Sequence, residues 1–177
     1  MPDWQAEAII LSVRPHGEGS AVISVLTADY GRHAGLVRGG ASSRMRGIIQ
    51  PGNRVRVSWR ARLSEQLGQM QIELVQSVPA LLLDSPLRLS GVASMCALLD
   101  GALPEREAQS GLFEGSAALL DVIVLDDDNA GWIEGYVRWE LGLLAAVGYR
   151  LDLARCVASG QTSDLAFVSP KSGGAVA

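Results

Sequence analysis

The sequence predicts an α+β protein, with a small five-stranded β-barrel over residues 1–79 followed by an all-α helical domain over residues 80–177. Two observations support this division. The apolar residues repeat with a period of two in the first part and with a period near 3.6 from Ser85 onwards. The charge also changes: residues 1–79 hold nine arginines against six acidic residues, a net of +3, whereas residues 80–177 hold six basic against thirteen acidic residues, a net of −7.

The predicted strands are separated by residues that break regular structure. Asp29-Tyr30-Gly31 stands between two apolar runs, as in a hairpin turn where glycine supplies a positive φ. Residues 39–52 begin with Gly39-Gly40 and end with Pro51-Gly52, which predicts a loop with one short helical turn. The five predicted strands are Ala6–Val13, Ala21–Ala28, His33–Gly39, Arg54–Leu63 and Gln69–Leu74.

The fourth strand has the clearest periodicity in the chain. Its apolar residues Val55, Val57, Trp59, Ala61 and Leu63 alternate with four arginines and a serine. Strict alternation over ten residues is typical of a half-buried strand with one face in water. Five short strands in about seventy residues suit a barrel of the oligonucleotide-binding (OB) type, although the pattern alone also allows an SH3-like barrel.

Three helices are predicted in the second part. Ser85-Pro86 is an N-cap followed by a first-turn proline and begins a helix that runs to about Asp100. Pro104-Glu105 is expected to begin the second helix. Asp126–Asn129 caps a third, and Gly148 ends it. Beyond these helices, Leu165–Val168 is expected to be a short extended piece, and the three helices leave apolar surface uncovered.

The basic residues of the barrel predict a polyanionic partner. No acidic residue occurs between Gly31 and Gln50, and guanidinium groups match phosphate oxygens with two parallel hydrogen bonds. Alternate residues of the fourth strand lie about 6.7 Å apart, close to one nucleotide step of a stretched strand. The candidate nucleic-acid-binding residues are Arg32, His33, Arg38, Arg44, Arg46, Arg54, Arg56, Arg60 and Arg62.

Two other interpretations of these arginines remain open. The fourth strand could present a solvated face that acids on neighbouring strands neutralise, or it could dock an acidic protein partner. Tyr30 is the one candidate for stacking on a base, because the alternation turns Trp59 towards the core. With so few aromatic residues we expect contacts chiefly to the nucleic-acid backbone, little sequence preference and tolerance of duplex as well as single strands.

Enzymatic functions find little support. Lys171 is the only lysine, so no phosphate-binding P-loop exists, and neither a nucleophile elbow nor H-E-x-x-H nor C-x-x-C is present. A phosphodiesterase would need Mg²⁺, for which Asp126–Asp128 could be imagined as ligands, but a capping loop is the preferred interpretation.

The two cysteines, Cys96 and Cys156, suit a protein of a reducing compartment. With no secretion signal and no apolar run of about 18 residues, we expect a cytoplasmic protein without membrane contact and without a cofactor.

Seven segments, in this order, resemble the bacterial recombination mediator family RecO. They are E-x-I-I-L (Glu7–Leu11), S-x-V-I-S-V-L-T-x-x-Y-G-R (Ser20–Arg32), G-L-V-R-G (Gly35–Gly39), Q-P-G-N (Gln50–Asn53), A-R-L-x-E-Q-L-G (Ala61–Gly68), W-E-L-G-L-L-A-A-V-G-Y (Trp139–Tyr149) and S-P-K-S-G (Ser169–Gly173). The resemblance implies an OB fold followed by a helical domain. It also implies binding and annealing of DNA strands in the RecF pathway, action on strands coated by single-strand-binding protein, and work with RecR to load RecA. It implies no catalytic centre.

The chain departs from the family pattern in two ways. Family members usually continue for several tens of residues, so we expect the helical domain to be incomplete here. Some members carry a four-cysteine zinc site; Cys156 matches its first ligand, but Ser159 replaces the second and no later cysteine follows. Because one cysteine cannot form a tetrahedral structural site, we predict that no zinc is bound.

Overall fold

The computed structural model describes residues 2–126 and 131–177. Its first part contains the five predicted strands, and the loop between the third and fourth contains the predicted helical turn. The elements are β1 Asp3–His16, β2 Ser20–Thr27, β3 Gly31–Val37, α1 Ser43–Ile48, β4 Arg54–Arg60 and β5 Gln69–Gln76.

The five strands close into a barrel in the order β1-β2-β3-β5-β4. β1 is long enough to serve two neighbours: its residue Ala8 is paired with Thr27 of β2 and with Val55 of β4. A bulge between Ile10 and Ser12 lets the strand bend from one partner to the other. Parallel pairing of β3 with β5 completes the ring. The result is the OB-like barrel that the sequence predicts, rather than an SH3-like one.

The burial of β4 confirms its predicted alternation. Val55, Val57 and Trp59 are all buried, and they join inward residues of the other four strands in one apolar core. The strand ends earlier than predicted, at Arg60. Leu63 therefore lies in the β4–β5 connection and is 56% exposed, so its predicted place on the core face is wrong.

Within the part of the chain that the structure describes, four helices come after the barrel strands: α2 Val78–Leu81, α3 Pro86–Ala102, α4 Ser110–Leu125 and α5 Gly131–Ala146. The second predicted helix begins at Ser110 rather than at Pro104, because residues 103–107 are engaged in contacts with the barrel. Asp126 caps α5 as expected, since its Oδ2 accepts a hydrogen bond from the Trp132 amide at 2.6 Å. The other predicted cap residues, 127–129, lie outside the described residues. Gly148, at φ +92°, follows the end of α5.

The α3 helix covers one side of the barrel. Ile9 and Leu11 alternate along β1 with core residues, yet they are 1% and 2% exposed. Cys96 of α3 donates from its thiol to the Ile10 carbonyl, and burial raises the pKa of this thiol to about 12.

The chain divides into two compact units, residues 1–136 and residues 137–177. The boundary near residue 80 stays a prediction.

The second unit adds a small sheet to the predicted helices. Its strands are β6 Asp152–Cys156, β7 Phe167–Val168 and β8 Gly174–Val176, in the order β6-β8-β7. Strands of two to five residues are too short to show a period of two, so the sequence predicts an extended piece only around Phe167. None of the described helices is long and apolar enough to cross a membrane.

Candidate nucleic-acid interface

Three of the predicted arginines lie on one exposed connection between β3 and β4, which we call the basic loop (residues 38–49). Arg38 precedes α1, whereas Arg44 and Arg46 lie within it, and all three are exposed. Among the described residues, no ion pair involves any of them. Their guanidinium groups are therefore available to an external anion.

The basic loop is held in place from both ends of its helix. The Ser42 hydroxyl accepts a hydrogen bond from the Met45 amide at 3.3 Å, which caps α1. At the other end the buried Asn53 amide donates to the carbonyls of Ile48 at 2.8 Å and Gly47 at 3.3 Å. These bonds satisfy two of the carbonyls that a helix end leaves unpaired. The exposed arginines are thus mounted on an anchored loop.

The arginines on the outer face of β4 have a different environment. Arg56 is paired in register with Glu7 of β1 and with Glu73 of β5, and its Nη1 lies 3.4 Å from the Glu73 carboxylate. Arg60 is paired in register with Asp3. Opposite charges facing each other across strands attract and neutralise one another. The geometry therefore supports the interpretation in which acids of neighbouring strands balance this face.

Arg54 is held by α4. Its Nη2 lies 2.8 Å from the Asp121 carboxylate and also donates to the Ala117 carbonyl. The Arg54 side chain is only 24% exposed as a result. Arg62 differs from it, since it lies beyond the end of β4 and is exposed in the β4–β5 connection. The four arginines that alternate along the predicted fourth strand, Arg54, Arg56, Arg60 and Arg62, therefore do not form one continuous, free basic surface.

Arg32 contacts the segment that links α3 to α4, which we call the strap (residues 103–107). Its Nε donates to the Leu103 carbonyl at 2.7 Å, and its Nη1 lies 3.5 Å from the carboxylates of both Asp100 and Glu105. The Arg32 carbonyl in turn accepts from the Arg106 amide at 2.8 Å. Arg32 is 18% exposed and works in this structure as a link between barrel and helices.

Asp100 is the acidic centre of this link. Burial alone would raise the pKa of Asp100, but the neighbouring hydroxyls of Ser24 and Ser12 and the charges of Arg32 and Arg14 lower it below its ordinary value. The carboxylate therefore stays ionised and holds both arginines at neutral pH.

Arg106 is a second link, which the sequence did not reveal. Its guanidinium donates to three consecutive carbonyls of the β4–β5 connection: Ser64, Glu65 at 3.2 Å and Gln66 at 3.0 Å. Its backbone adopts the left-handed φ of +65°, which is uncommon outside glycine. The strap thus fixes a barrel loop that OB folds commonly use for nucleic acid. A lone arginine between two glutamates carries no signal of such a role.

Tyr30, the predicted stacking residue, is the outer member of an aromatic stack. Its ring lies 4.4 Å from that of Trp4 at an interplanar angle of 11°, and Trp4 lies 5.8 Å from Trp59 at 19°. One face of Tyr30 is therefore covered, while the side chain as a whole is 36% exposed. A base could stack only on its remaining face.

His33 is buried beside this stack rather than placed at the surface. It is 4% exposed and meets both Trp4 and Trp59 edge-on, at 5.1 and 4.7 Å. Burial, together with the charge of Arg106, lowers the pKa of His33 from 6.5 to about 4. The imidazole is therefore neutral at pH 7 and is not placed to contact a phosphate at the surface.

The burial of His33 predicts an acid-sensitive fold. Below pH 6.5 the unfolded chain binds a proton at this position, whereas the folded chain does so only near pH 4. The stabilisation is complete above pH 6.5 and is lost as the pH falls towards 4. We expect the free energy of unfolding to drop by roughly 2 kcal/mol between pH 7 and pH 4.5 from this residue.

Urea unfolding at the two pH values measures this effect. His33→Phe should remove most of the difference between them, and His16→Gln, at an exposed position, should leave it unchanged. Equal pH dependence in His33→Phe and the unsubstituted protein would show that His33 titrates normally.

Among residues 2–126 and 131–177, no group of three His, Cys, Asp or Glu side chains is arranged to hold a metal ion. Asp127 and Asp128, two of the imagined Mg²⁺ ligands, lie outside these ranges. Cys156 is buried, and its sulfur accepts hydrogen bonds from the backbone amides of Ser159 and Ala177, both at 3.4 Å.

The barrel, its anchored basic loop, and helices α3 and α4 packed on it define an OB-fold protein with a helical extension. Comparison with known families agrees with this description: the family model for the N-terminal domain of recombination protein O matches residues 1–78, and that for its C-terminal domain matches residues 83–177. The chain belongs to the RecO family.

Individual relatives show the same similarity along almost the whole chain. The DNA repair protein RecO of Rhodospirillum centenum is 51% identical over 176 residues, which are 98% of this chain and 69% of that protein. The protein of the same description from Rhodospirillum rubrum is 45% identical over 178 residues, covering 99% and 71% of the two chains. One from Cereibacter sphaeroides is 50% identical over 176 residues, covering 99% and 72%.

Proposed function

We propose that this chain is a DNA-binding recombination mediator that acts in DNA repair through the RecF pathway. Membership of the RecO family supports the repair role, since the relatives carry the description DNA repair protein. The observation that carries the DNA-binding part is the basic loop, with three exposed arginines that no described acidic residue neutralises.

The proposed contacts are chiefly to phosphates. Arg38, Arg44 and Arg46 bind the backbone of single or double strands without reading sequence. Arg60 and Arg62 are exposed and form no ion pair among the described residues, so they are the further donors of the predicted set, while Arg32, Arg54 and Arg56 already have partners within the molecule. Neutralising the charge of two strands lowers their repulsion, so that complementary strands meet and anneal.

The second part of the proposal concerns proteins. Residues 80–177 carry a net charge of −7, which disfavours DNA and suits protein contacts. We assign to this part the contacts with RecR and with single-strand-binding protein, through which RecA is loaded onto coated strands. The protein acts in the cytoplasm at the nucleoid, without catalysis, cofactor or metal.

Strand annealing tests this function. Two complementary oligonucleotides, one labelled with a donor and one with an acceptor fluorophore, should pair several times faster with the protein than without it, and raising the salt concentration should abolish the acceleration. No acceleration at any salt concentration would refute the annealing role.

The same assay separates this function from that of a protein-interaction module whose arginine face docks an acidic partner. Such a module would retain a purified acidic protein in a pull-down and leave annealing unchanged. The ion pairs of Arg54 with Asp121 and of Arg56 with Glu73 leave fewer free arginines on β4 for an acidic protein partner, as they do for DNA.

A further inference from the structure

A cleft of about 820 Å³ opens on the barrel beside the basic loop. Its volume lies within the range of about 300–1,000 Å³ that is usual for small-molecule sites. The lining combines the first residues of β1, the last of β3, Met45 of α1, and the facing parts of β4 and β5. The size of this cleft and the side chains that line it are suitable for binding one nucleotide of a DNA strand.

One wall of the cleft is polar but uncharged. Gln5 of β1, Ser58 of β4 and Gln71 of β5 are paired in register, so they form one row across three strands. A glutamine amide both donates and accepts hydrogen bonds, as do the edges of the nucleobases. Among the other lining residues, Leu36 and Met45 are apolar and offer surface to the faces of a base.

Positive charge lies at the same cleft. Arg38 and Arg60 line it, against a single lining carboxylate, Asp3. Arg44 and Arg46 flank Met45 in sequence, so the residue that lines the cleft lies between two of the arginines proposed to hold phosphates. A strand held by the basic loop would therefore lie next to the cleft.

We propose that the cleft binds the unpaired base of a nucleotide whose flanking phosphates are held by the basic loop. The inference rests on the proposed DNA binding and adds a base contact to it. A paired base cannot enter, because its edge is already hydrogen-bonded to the opposite strand and its faces are stacked. The protein consequently binds duplex through phosphates alone and prefers single strands.

Abasic oligonucleotides test the base contact at constant charge. Affinity is measured for a labelled fifteen-residue oligothymidylate and for the same length of abasic backbone; we expect roughly 10-fold weaker binding of the abasic strand, from the lost hydrogen bonds and apolar contacts of one base. Equal affinity for the two strands would overturn the inference while leaving the proposed function intact. Failure to bind either strand would refute the proposed function as well.

Two variants locate the base contact. Ser58→Phe fills the cleft, and Gln71→Leu, at an exposed position, removes one amide; each should bring thymidylate binding down to the level of the abasic strand. Ser94→Phe, on an exposed part of α3, is the matched control and should keep the difference. An undiminished difference in correctly folded Ser58→Phe and in Gln71→Leu would place the base elsewhere and overturn the inference.

A free nucleotide is the other source of the same chemistry. Thymidine monophosphate lacks the flanking phosphates, so it should compete with the oligonucleotide only at concentrations several hundred-fold higher. Competition at equal concentrations would identify a site for free nucleotides and overturn the inference.

Discussion

Replacement of Arg38, Arg44 and Arg46 together by alanine is expected to weaken binding of single-stranded DNA about 100-fold at low salt, which corresponds to about 1 kcal/mol for each arginine–phosphate pair removed. The reason is that these three guanidinium groups are exposed and have no partner among the described ion pairs. The loop fold should survive, since Ser42 and Asn53 anchor it through bonds that involve none of the arginines. Fluorescence anisotropy of a labelled oligonucleotide measures the change.

The matched control is the double variant Arg54→Ala, Arg56→Ala. It removes two of the charges predicted from the alternation of β4, but both arginines are paired with carboxylates, Asp121 and Glu73. We expect at most a threefold loss of DNA affinity. A larger loss in the double variant than in the loop variant would assign the interface to β4 instead.

Substitution of Gly31 by alanine is expected to destabilise the protein by roughly 3 kcal/mol, from a left-handed backbone and an overpacked contact together. Gly31 has φ +60°, and a Cβ placed on it would lie 1.8 Å from the Glu107 carbonyl oxygen. The strap therefore crosses β3 where only glycine fits. Urea denaturation measures the loss, and hydrogen exchange should show faster exchange of the Arg106 amide, which bonds to Arg32 beside the substitution.

Gly17→Ala is the control for the backbone contribution. Gly17 has nearly the same φ, +57°, but a Cβ there would meet nothing within 4 Å. The Gly17→Ala substitution should lower the free energy of unfolding by only about 1 kcal/mol, which is the cost of the left-handed conformation itself. Equal losses of stability in Gly31→Ala and Gly17→Ala would show that the strap does not pack closely against β3.

The barrel could be predicted because the alternating pattern that identifies a strand lies within the sequence of that strand itself. Val55, Val57 and Trp59 alternate with polar residues, so this one stretch of sequence predicts both a β-strand and the face of that strand that is buried. The sequence predicts the ends of the elements less accurately. Leu63 continues the alternation in sequence, but β4 has already ended at Arg60, because the neighbouring strand that could pair with this stretch begins only at Gln69.

The strap could not be predicted, since its role depends on residues distant in sequence. Pro104 and Glu105 have the composition of a helix start. In the folded protein the same stretch bonds to Arg32, some seventy residues earlier, and Arg106 reaches three carbonyls of the β4–β5 connection. Tertiary hydrogen bonds of this kind outweigh a local helix preference, which amounts to tenths of a kcal/mol per residue.

In the candidate site too, contacts between residues distant in sequence could not be predicted. The exposure of Arg44 and Arg46 could be expected from a glycine-rich loop without acidic residues, whereas the environment of Arg56 depends on strand register. Only the register shows that Glu7 and Glu73 lie on either side of it. His33 also follows a turn in sequence, yet the inward face of β3 buries it against two tryptophans. Sequence identifies charged residues, but the register determines which of them are free.

The salt dependence of DNA affinity tests the central claim most directly. If the basic loop and its neighbours hold about four phosphates, the logarithm of the association constant for single-stranded DNA falls with the logarithm of salt concentration with a slope near −3. The loop triple variant should reduce the slope by about 2, to near −1. A flat dependence in the unsubstituted protein, or an unchanged slope in the variant, would contradict binding of the DNA backbone by this loop.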